Sequence, residues 1–200
     1  MTRTVLFGLA GFGLLILASC DEPDCPDCND PQVQALAVDI NELPHGTQTS
    51  VVLDLPAELR TQNWGGGSCV HASTVTLLQW QGMPELAEWW RHNYSGGESS
   101  SGITSKMEKA GLSYAYTKSG DESFLEWSCR TRRCAGIFYK PGHAVNLVGL
   151  DDENAYLLDN NHTSQIETVP RGEFMRRWKN NYGGFAWTIV ATPSPPSPWF

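Results

Sequence analysis

The most constraining stretch of the chain is a run of three glycines, Gly65 to Gly67, followed at once by a segment with helical periodicity. Consecutive glycines are costly inside a helix or strand because glycine loses the most backbone entropy on folding, so the run predicts a loop. Ser68 is a residue type that caps helix N-termini. After it, uncharged residues recur at three- and four-residue steps until Gly82: Val70, Thr74, Leu77, Leu78 and Gln81. The sequence therefore predicts a tight loop that leads directly into a helix.

Cys69 occupies the first turn of that predicted helix. Free backbone N–H groups and the positive end of the helix dipole stabilise an anion there, which lowers the pKa of a thiol. The thiolate is the nucleophilic form of cysteine, and the preceding glycines would let a substrate backbone approach it. The alternative is a small buried cysteine of the core, the commoner outcome for a lone cysteine. A partner base elsewhere in the chain is needed to decide between the two.

Residues 1–19 have the pattern of a bacterial signal peptide. Arg3 provides a short positive region, and residues 5–18 are almost wholly apolar but too few to span a bilayer comfortably. The run ends in Leu-Ala-Ser before Cys20, which resembles the lipobox of bacterial lipoproteins and implies that Cys20 is lipidated. This predicts a cell-envelope protein anchored through Cys20 and facing the periplasm or the exterior. An ordinary signal peptide followed by an incidental cysteine is the alternative.

The mature chain divides by composition into three parts. Residues 20–50 are acidic, proline-rich and poor in apolar residues, so they cannot bury a core and are predicted to form a tether. Residues 51–192 are long enough for one domain with its own core. Residues 193–200 are proline-rich and are predicted to be disordered.

The charge of the chain limits the classes of partner. The formal net charge is −8, and loss of Arg3 with the signal peptide makes it one unit more negative. An acidic chain without a basic stripe argues against a nucleic-acid partner and against electrostatic binding to anionic lipid. Membrane attachment would therefore depend on the lipid at Cys20 alone.

The chain has six cysteines. Cys25 and Cys28 lack the sequence context of a zinc or redox motif, so a local disulfide in an oxidising compartment is expected. Cys129 and Cys134 form a second local pair or are both reduced and buried, and the sequence leaves this open. No histidine–carboxylate spacing typical of a metal site is present, and we expect no metal and no cofactor.

Helices precede most of the strands, which is the α+β order. Beyond the helix that begins after Ser68, helices are predicted over residues 84–94, 102–110, 121–133 and 171–179. Strands are predicted over residues 51–53, 112–117, 135–139, 144–150, 155–158 and 185–191.

Two polar residues flank neighbouring strands of this prediction. His143 lies at the mouth of one predicted apolar strand and Asn160 follows the end of the next, and a hairpin that turns at residues 151–154 would place both at one end of the sheet. An amide oxygen there would fix the tautomer of the imidazole. The imidazole would then take the proton of Cys69 and form a thiolate–imidazolium pair. A buried structural histidine is the alternative.

These residues resemble the papain-like cysteine peptidases in their order along residues 53–191: Gln62, the Gly-Gly-Ser entry to the Cys69 helix, His143 followed by Ala-Val, and Asn160. The resemblance implies a helical part carrying the nucleophile helix, packed on an antiparallel sheet or half-barrel. It also implies that Cys69 is the nucleophile, His143 the general base and then acid, and Asn160 the residue that orients His143. Gln62 and the backbone N–H of Cys69 would form the oxyanion hole. The glycines implied to meet the substrate backbone are Gly67, Gly96 and Gly97.

The sequence departs from the papain pattern at two places. The segment between Gln62 and Cys69 is one residue longer, and His162 stands where the family has a tryptophan. Asp159 is an alternative orienting residue, as in the bacteriocin-leader peptidases of this fold. His71 is a poor alternative base because helix positions two apart point in different directions, so it is expected to be a packing or surface residue.

The leading functional hypothesis is a membrane-tethered thiol hydrolase that cleaves peptide or amide bonds of a peptide or protein substrate through a thioester on Cys69. A transacylase or a cell-wall-peptide hydrolase with the same triad is one alternative. A non-catalytic binding module that uses tryptophans such as Trp89 and Trp90 for recognition is another.

Overall fold

The computed structural model of the protein describes residues 55–190. The predicted signal peptide, Cys20, the tether with Cys25 and Cys28, the strand at 51–53 and the C-terminal tail lie outside the described residues.

Within residues 55–190 the chain forms a short 3-10 turn, five helices and six strands in the α+β order that the sequence predicts. After the turn Ala57–Leu59, the helices are α1 (Cys69–Trp80), α2 (Pro84–Asn93), α3 (Ser100–Lys109), α4 (Glu122–Arg130) and α5 (Arg171–Asn180). The strands are β1 (Tyr114–Thr117), β2 (Ala135–Lys140), β3 (His143–Leu150), β4 (Asn154–Leu158), β5 (Glu167–Pro170) and β6 (Ala186–Ile189).

The strands form one antiparallel sheet in the order β1-β6-β2-β3-β4-β5. Phe138 of β2 and Ala144 of β3 belong to the core cluster that includes α1. The next residue of β2, Tyr139, stacks on Phe174 of α5 with ring centroids 5.7 Å apart. Because neighbouring side chains of a strand point to opposite faces, α1 and α5 cover opposite faces of the sheet.

Helix α1 is buried along most of its length: residues 69–78 are all buried. The segment contains no charged residue other than a potential charge on His71, and its hydroxyl groups find internal partners. Thr74 Oγ1, for example, accepts a hydrogen bond from Trp187 Nε1 at 3.3 Å. A helix that is apolar or neutral on all sides is suited to a central position, and α1 therefore fixes Cys69 against the sheet.

The structure contains one strand that the sequence did not predict, and it distinguishes between the two alternatives for Cys129 and Cys134. The strand β5 was not predicted, because three of its four residues are exposed and it ends in a proline, so it lacks an apolar run. Cys129 and Cys134 are both buried free thiols and form no disulfide in the structure. Burial raises the pKa of Cys129 to about 12 and raises the pKa of Cys134 as well. The reduced and buried alternative therefore describes this pair.

No helix between residues 55 and 190 combines the length and the apolar character that a bilayer crossing requires.

His71 is a packing residue between α1 and α2. It is fully buried, its Nδ1 accepts a hydrogen bond from Trp90 Nε1 at 3.3 Å, and its ring stacks on Tyr94 with centroids 5.7 Å apart. Burial, with a smaller effect from the positive charge of Lys106, lowers the pKa of His71 to about 4. Because its pKa is low and its Nδ1 already accepts from Trp90, His71 is a poor proton acceptor for Cys69.

The low pKa of His71 predicts an acid-sensitive stability. The unfolded chain binds a proton at the ordinary histidine pKa of about 6.5, whereas the folded protein does so only near pH 4. The unfolded state therefore gains protons first as the pH falls, and stability decreases from about pH 6.5 downward, by up to about 3 kcal/mol at pH 4. His71→Gln retains an acceptor for Trp90 and removes the titration, so this loss should shrink. Urea unfolding at pH values from 7 to 4 measures it.

The matched control is His162→Gln, at an exposed histidine, which should reproduce the wild-type pH dependence. Equal loss of stability in wild type and His71→Gln would show that His71 does not control the acid response.

Candidate active site

The loop before Cys69 has a backbone that requires glycine. Gly65, Gly66 and Gly67 have φ angles of +92°, +62° and +84°, all in the left-handed region. Ser68 follows as the residue before α1, but its side chain does not make the predicted capping bond. Its buried Oγ instead accepts a hydrogen bond from the backbone N–H of Gly96 at 3.1 Å. Ser68 therefore links the loop to a second glycine segment.

The three glycines implied to bind substrate lie together. A Cβ atom on Gly67 would stand 3.2 Å from the backbone N of Gly97, and Gly96 has a φ of +82°. The close approach of the Gly97 backbone is a physical reason why residue 67 is a glycine. Contact of these residues with a substrate stays a prediction.

Cys69 is the first residue of α1 and is 4% exposed. The backbone N–H of Ala144 donates to its Sγ at 3.4 Å, and Sγ lies 3.6 Å from the carbonyl oxygen of Gly67. Burial by itself raises the pKa of the thiol, but the hydrogen bonds from His143 and from Ala144 outweigh burial and lower it below its ordinary value. The surroundings of Cys69 therefore favour a thiolate.

His143 opens β3 beside this thiol, and its ring is fixed from the other side. Nε2 of His143 donates to Oδ1 of Asp159 at 2.8 Å, which leaves Nδ1 for Cys69. The hydrogen bond to Asp159, followed by the one to Cys69, raises the pKa of His143 to about 9 against the opposing effect of burial. The imidazole is therefore held as an imidazolium near neutral pH, with Nε2 bonded to Asp159 and Nδ1 free to exchange a proton with Cys69.

Asp159 follows β4 directly and is buried. Its Oδ1 also accepts from the backbone N–H of Asn161 at 2.9 Å, and its Oδ2 lies 3.6 Å from Nζ of Lys140. Burial raises the pKa of this carboxyl group, but the hydrogen bonds from His143 and Asn161 overcome it and lower the pKa to about 2. Asp159 is thus a carboxylate at neutral pH, where His143 is charged.

The predicted role of Asn160 as the residue that orients His143 does not agree with the structure. The Oδ1 atom of Asn160, which was expected to accept from the imidazole, has no hydrogen-bond partner. Its Nδ2 donates to the carbonyl oxygens of Cys69 and Ala144 at 3.0 and 2.9 Å and to Ser73 Oγ at 3.2 Å. Asp159 accepts the imidazole N–H, whereas the amide nitrogen of Asn160 is directed at the carbonyl groups of Cys69 and Ala144. The alternative orienting residue, Asp159, therefore faces His143.

Gln62 lies in the loop that precedes the glycines, between two anchored residues. The backbone N–H of Thr61 donates to Thr76 Oγ1 at 3.2 Å, and that of Asn63 donates to the carbonyl oxygen of Asn160 at 2.8 Å. The side chain of Gln62 is exposed on this fixed backbone. The oxyanion-hole role of Gln62 stays a prediction.

Two further groups of the site were not found by sequence reasoning. Lys140 ends β2 opposite His143 in the register of the hairpin and forms the ion pair with Asp159. The N–H of Ala144 contacts the Cys69 sulfur. The tight Pro-Gly turn between Lys140 and His143 was a usable signal for the first of these, whereas a backbone N–H carries no residue-type signal at all.

Residues 55–190 contain no group of three or more His, Cys, Asp or Glu side chains placed to hold a metal ion. The described site can activate a thiol. The nucleophile Cys69 lies beside the base His143, and the carboxylate of Asp159 is hydrogen-bonded to that base.

Comparison with known proteins bears on the fold. No protein-family model matches the sequence, and no curated protein matches it. Among solved structures, the fold is similar to that of a protein described as a C39-like peptidase from Bacillus anthracis, with a TM-score of 0.56, 16% identity, and coverage of 72% of this chain and 98% of that chain. A double glycine motif protease from an AMS/PCAT transporter, solved with a leader peptide, gives a TM-score of 0.48 at 16% identity, over 72% of this chain and 94% of that one. The first comparison and the six-stranded sheet together show that the chain has the fold of the papain-like cysteine peptidases.

Proposed function

We propose that this protein is a cysteine peptidase that hydrolyses peptide or amide bonds with Cys69, His143 and Asp159. The observation that carries the proposal is the 2.8 Å hydrogen bond between His143 and Asp159 beside a buried thiol that accepts an N–H from Ala144. A cysteine that only fills space in a core has no use for a charged base and a carboxylate. The papain-like fold supports the same reaction class.

The reaction would proceed through a thioester. The thiolate of Cys69 attacks the carbonyl carbon of the scissile amide and forms a tetrahedral intermediate. The imidazolium of His143 gives its proton to the leaving nitrogen as the C–N bond breaks, and an amine departs. Water then attacks the thioester while His143 takes one of its protons, the C–S bond breaks, and a carboxylic acid is released. Asp159 keeps the ring oriented and stabilises its charged form throughout.

The negative charge of the tetrahedral intermediate needs donors of its own. The backbone N–H of Cys69 lies at the start of α1, where helix N–H groups have no intrahelical acceptor. Gln62 precedes it on an anchored loop with an exposed amide. We assign both to the oxyanion hole, where loss of one donor costs about 10²- to 10³-fold in turnover. Gly67 and Gly96–Gly97 are proposed to leave room for the substrate backbone.

The central roles predict a graded loss of activity. Cys69→Ser should abolish the cleavage of a peptide library monitored by mass spectrometry, because the serine hydroxyl is not ionised by this site. Asp159→Asn should lower kcat by about 10²- to 10⁴-fold, since the carboxylate that holds His143 is lost. Peptidoglycan stem peptides in the same library, and added amines as acceptors, report the cell-wall and transacylase variants of the reaction.

The control is Asp152→Asn, the same chemical change at an exposed residue of the β3–β4 turn, which should keep wild-type activity. Amide cleavage that persists in Cys69→Ser would refute the proposed function.

We further propose that the enzyme is held at a bacterial membrane by lipid on Cys20, with the domain on the periplasmic or outer side. The support is the sequence Leu-Ala-Ser-Cys at the end of the apolar segment. In a bacterial host, Cys20→Ser should move the protein from the membrane fraction to the soluble fraction and remove incorporation of labelled palmitate. Cys25→Ser is the matched control and should change neither. Equal membrane recovery of wild type and Cys20→Ser would contradict the anchor.

A further inference from the structure

Asn160 lies where the segments of the candidate site converge. It directly follows Asp159, and its own carbonyl oxygen accepts the N–H of Asn63, the neighbour of Gln62. Its side chain, 1% exposed, donates to the carbonyl oxygens of Cys69 and Ala144. Asn160 is therefore the chain neighbour of Asp159, and it is hydrogen-bonded to Cys69, to the residue after His143 and to the residue after Gln62.

We propose that Asn160 is a positioning residue that sets the placement of Cys69 relative to His143 by joining the Cys69 and Ala144 carbonyl groups through one amide nitrogen. This inference rests on the proposed function. It gives Asn160 a role distinct from the orientation of the imidazole, which Asp159 provides.

Both hydrogen bonds that Asn160 forms between α1 and β3 are short. Nδ2 of Asn160 lies 3.0 Å from the Cys69 carbonyl oxygen on α1 and 2.9 Å from the Ala144 carbonyl oxygen on β3. A third acceptor, Ser73 Oγ, lies 3.2 Å away, one helical turn beyond Cys69. Since Ala144 is the neighbour of His143 in β3, the reach of one amide group fixes the helix that carries the nucleophile against the strand that carries the base.

The ionisation of Cys69 depends on this fixed separation. Burial opposes the thiolate most strongly, and contacts with His143 and the Ala144 N–H reverse that effect. Both contacts cross from α1 to β3, so a small separation of the two elements weakens them while the thiol stays buried. Loss of the bridge should therefore return the Cys69 pKa toward, or above, its ordinary value. A displacement of about 1 Å in such a site can cost about 10²-fold in rate.

Asn146 of β3 provides a matched comparison. It is also 1% exposed, its Nδ2 also donates to α1, at the Ser73 carbonyl oxygen 3.1 Å away, and its Oδ1 also has no hydrogen-bond partner. Removal of either amide thus takes a side-chain donor away from a carbonyl group of α1, which keeps its donor within the helix. Only the Asn160 amide reaches the carbonyl group of Cys69 itself.

The test compares Asn160→Leu with Asn146→Leu in the full-length chain. The thiolate absorbance of each protein is titrated with pH, and the titration of its Cys69→Ser counterpart is subtracted. Buried Cys129 and Cys134 do not interfere near neutral pH because burial raises the pKa of both. Urea unfolding of the same samples measures stability. We expect both variants to lose stability, Asn160→Leu more because its amide makes three hydrogen bonds and that of Asn146 one, but a rise of about one unit or more in the Cys69 pKa only in Asn160→Leu.

Peptide hydrolysis should fall at least about tenfold in kcat in Asn160→Leu, with little change in KM, and should persist in Asn146→Leu. If Asn160→Leu does not fold, Asn160→Ser, which keeps a donor of shorter reach, should show the same shift in smaller amount.

The inference is overturned if folded Asn160→Leu, or Asn160→Ser in its place, titrates like wild type, or if Asn146→Leu shifts the Cys69 pKa equally. A failure of the proposed function would be recognised by a different result: Cys69 of the wild type would itself titrate with an ordinary or raised pKa.

Discussion

The register of the β3–β4 hairpin is the constraint on which the chemistry of the site depends. Asn146 pairs with Leu158, and the pairing shifts between Leu147 and Gly149 before it continues to the turn. This register places Asp159 against His143 and turns Asn160 toward α1. A slip of one residue would exchange the faces of every side chain in the strand. The hairpin therefore decides whether a carboxylate or an amide holds the imidazole.

The central position of α1 adds the second requirement. A thiol buried at the start of a helix is disfavoured as an anion by desolvation, and His143 and the Ala144 N–H on β3 contribute most to reversing this, with a smaller effect of the Val70 N–H. The same burial strengthens the His143–Asp159 interaction, which raises the pKa of one partner and lowers that of the other. Packing and electrostatics are thus linked, because the contacts that bury Cys69 also bring its base within reach.

Much of this arrangement follows from the sequence. The glycine run predicts a loop, and the structure forms one there with left-handed backbone angles. The position of Cys69 at a helix start is confirmed, and His143 lies at the start of a strand, one residue before the predicted first residue. The assignment of Asn160 as the orienting residue was wrong, because the shift in pairing near Gly149 leaves no mark in residue type. Long-range partners were also beyond local patterns: Ser68 is a good capping residue, yet its hydroxyl group binds Gly96, 28 residues away. Local propensity predicts elements, whereas register and tertiary contacts decide which polar atoms meet.

The most direct measurement of the central claim is the pH dependence of Cys69 alkylation by iodoacetamide, located by peptide mass mapping, in wild type and in His143→Ala. In the wild type, His143 stays protonated up to about pH 9 and Cys69 ionises below its ordinary pKa, so labelling should become fast at a lower pH than that of an ordinary thiol. In His143→Ala, burial is opposed only by backbone N–H groups, and labelling should be slow until the pH exceeds the ordinary thiol pKa. Identical profiles that rise only at alkaline pH in both proteins would contradict the thiolate–imidazolium pair.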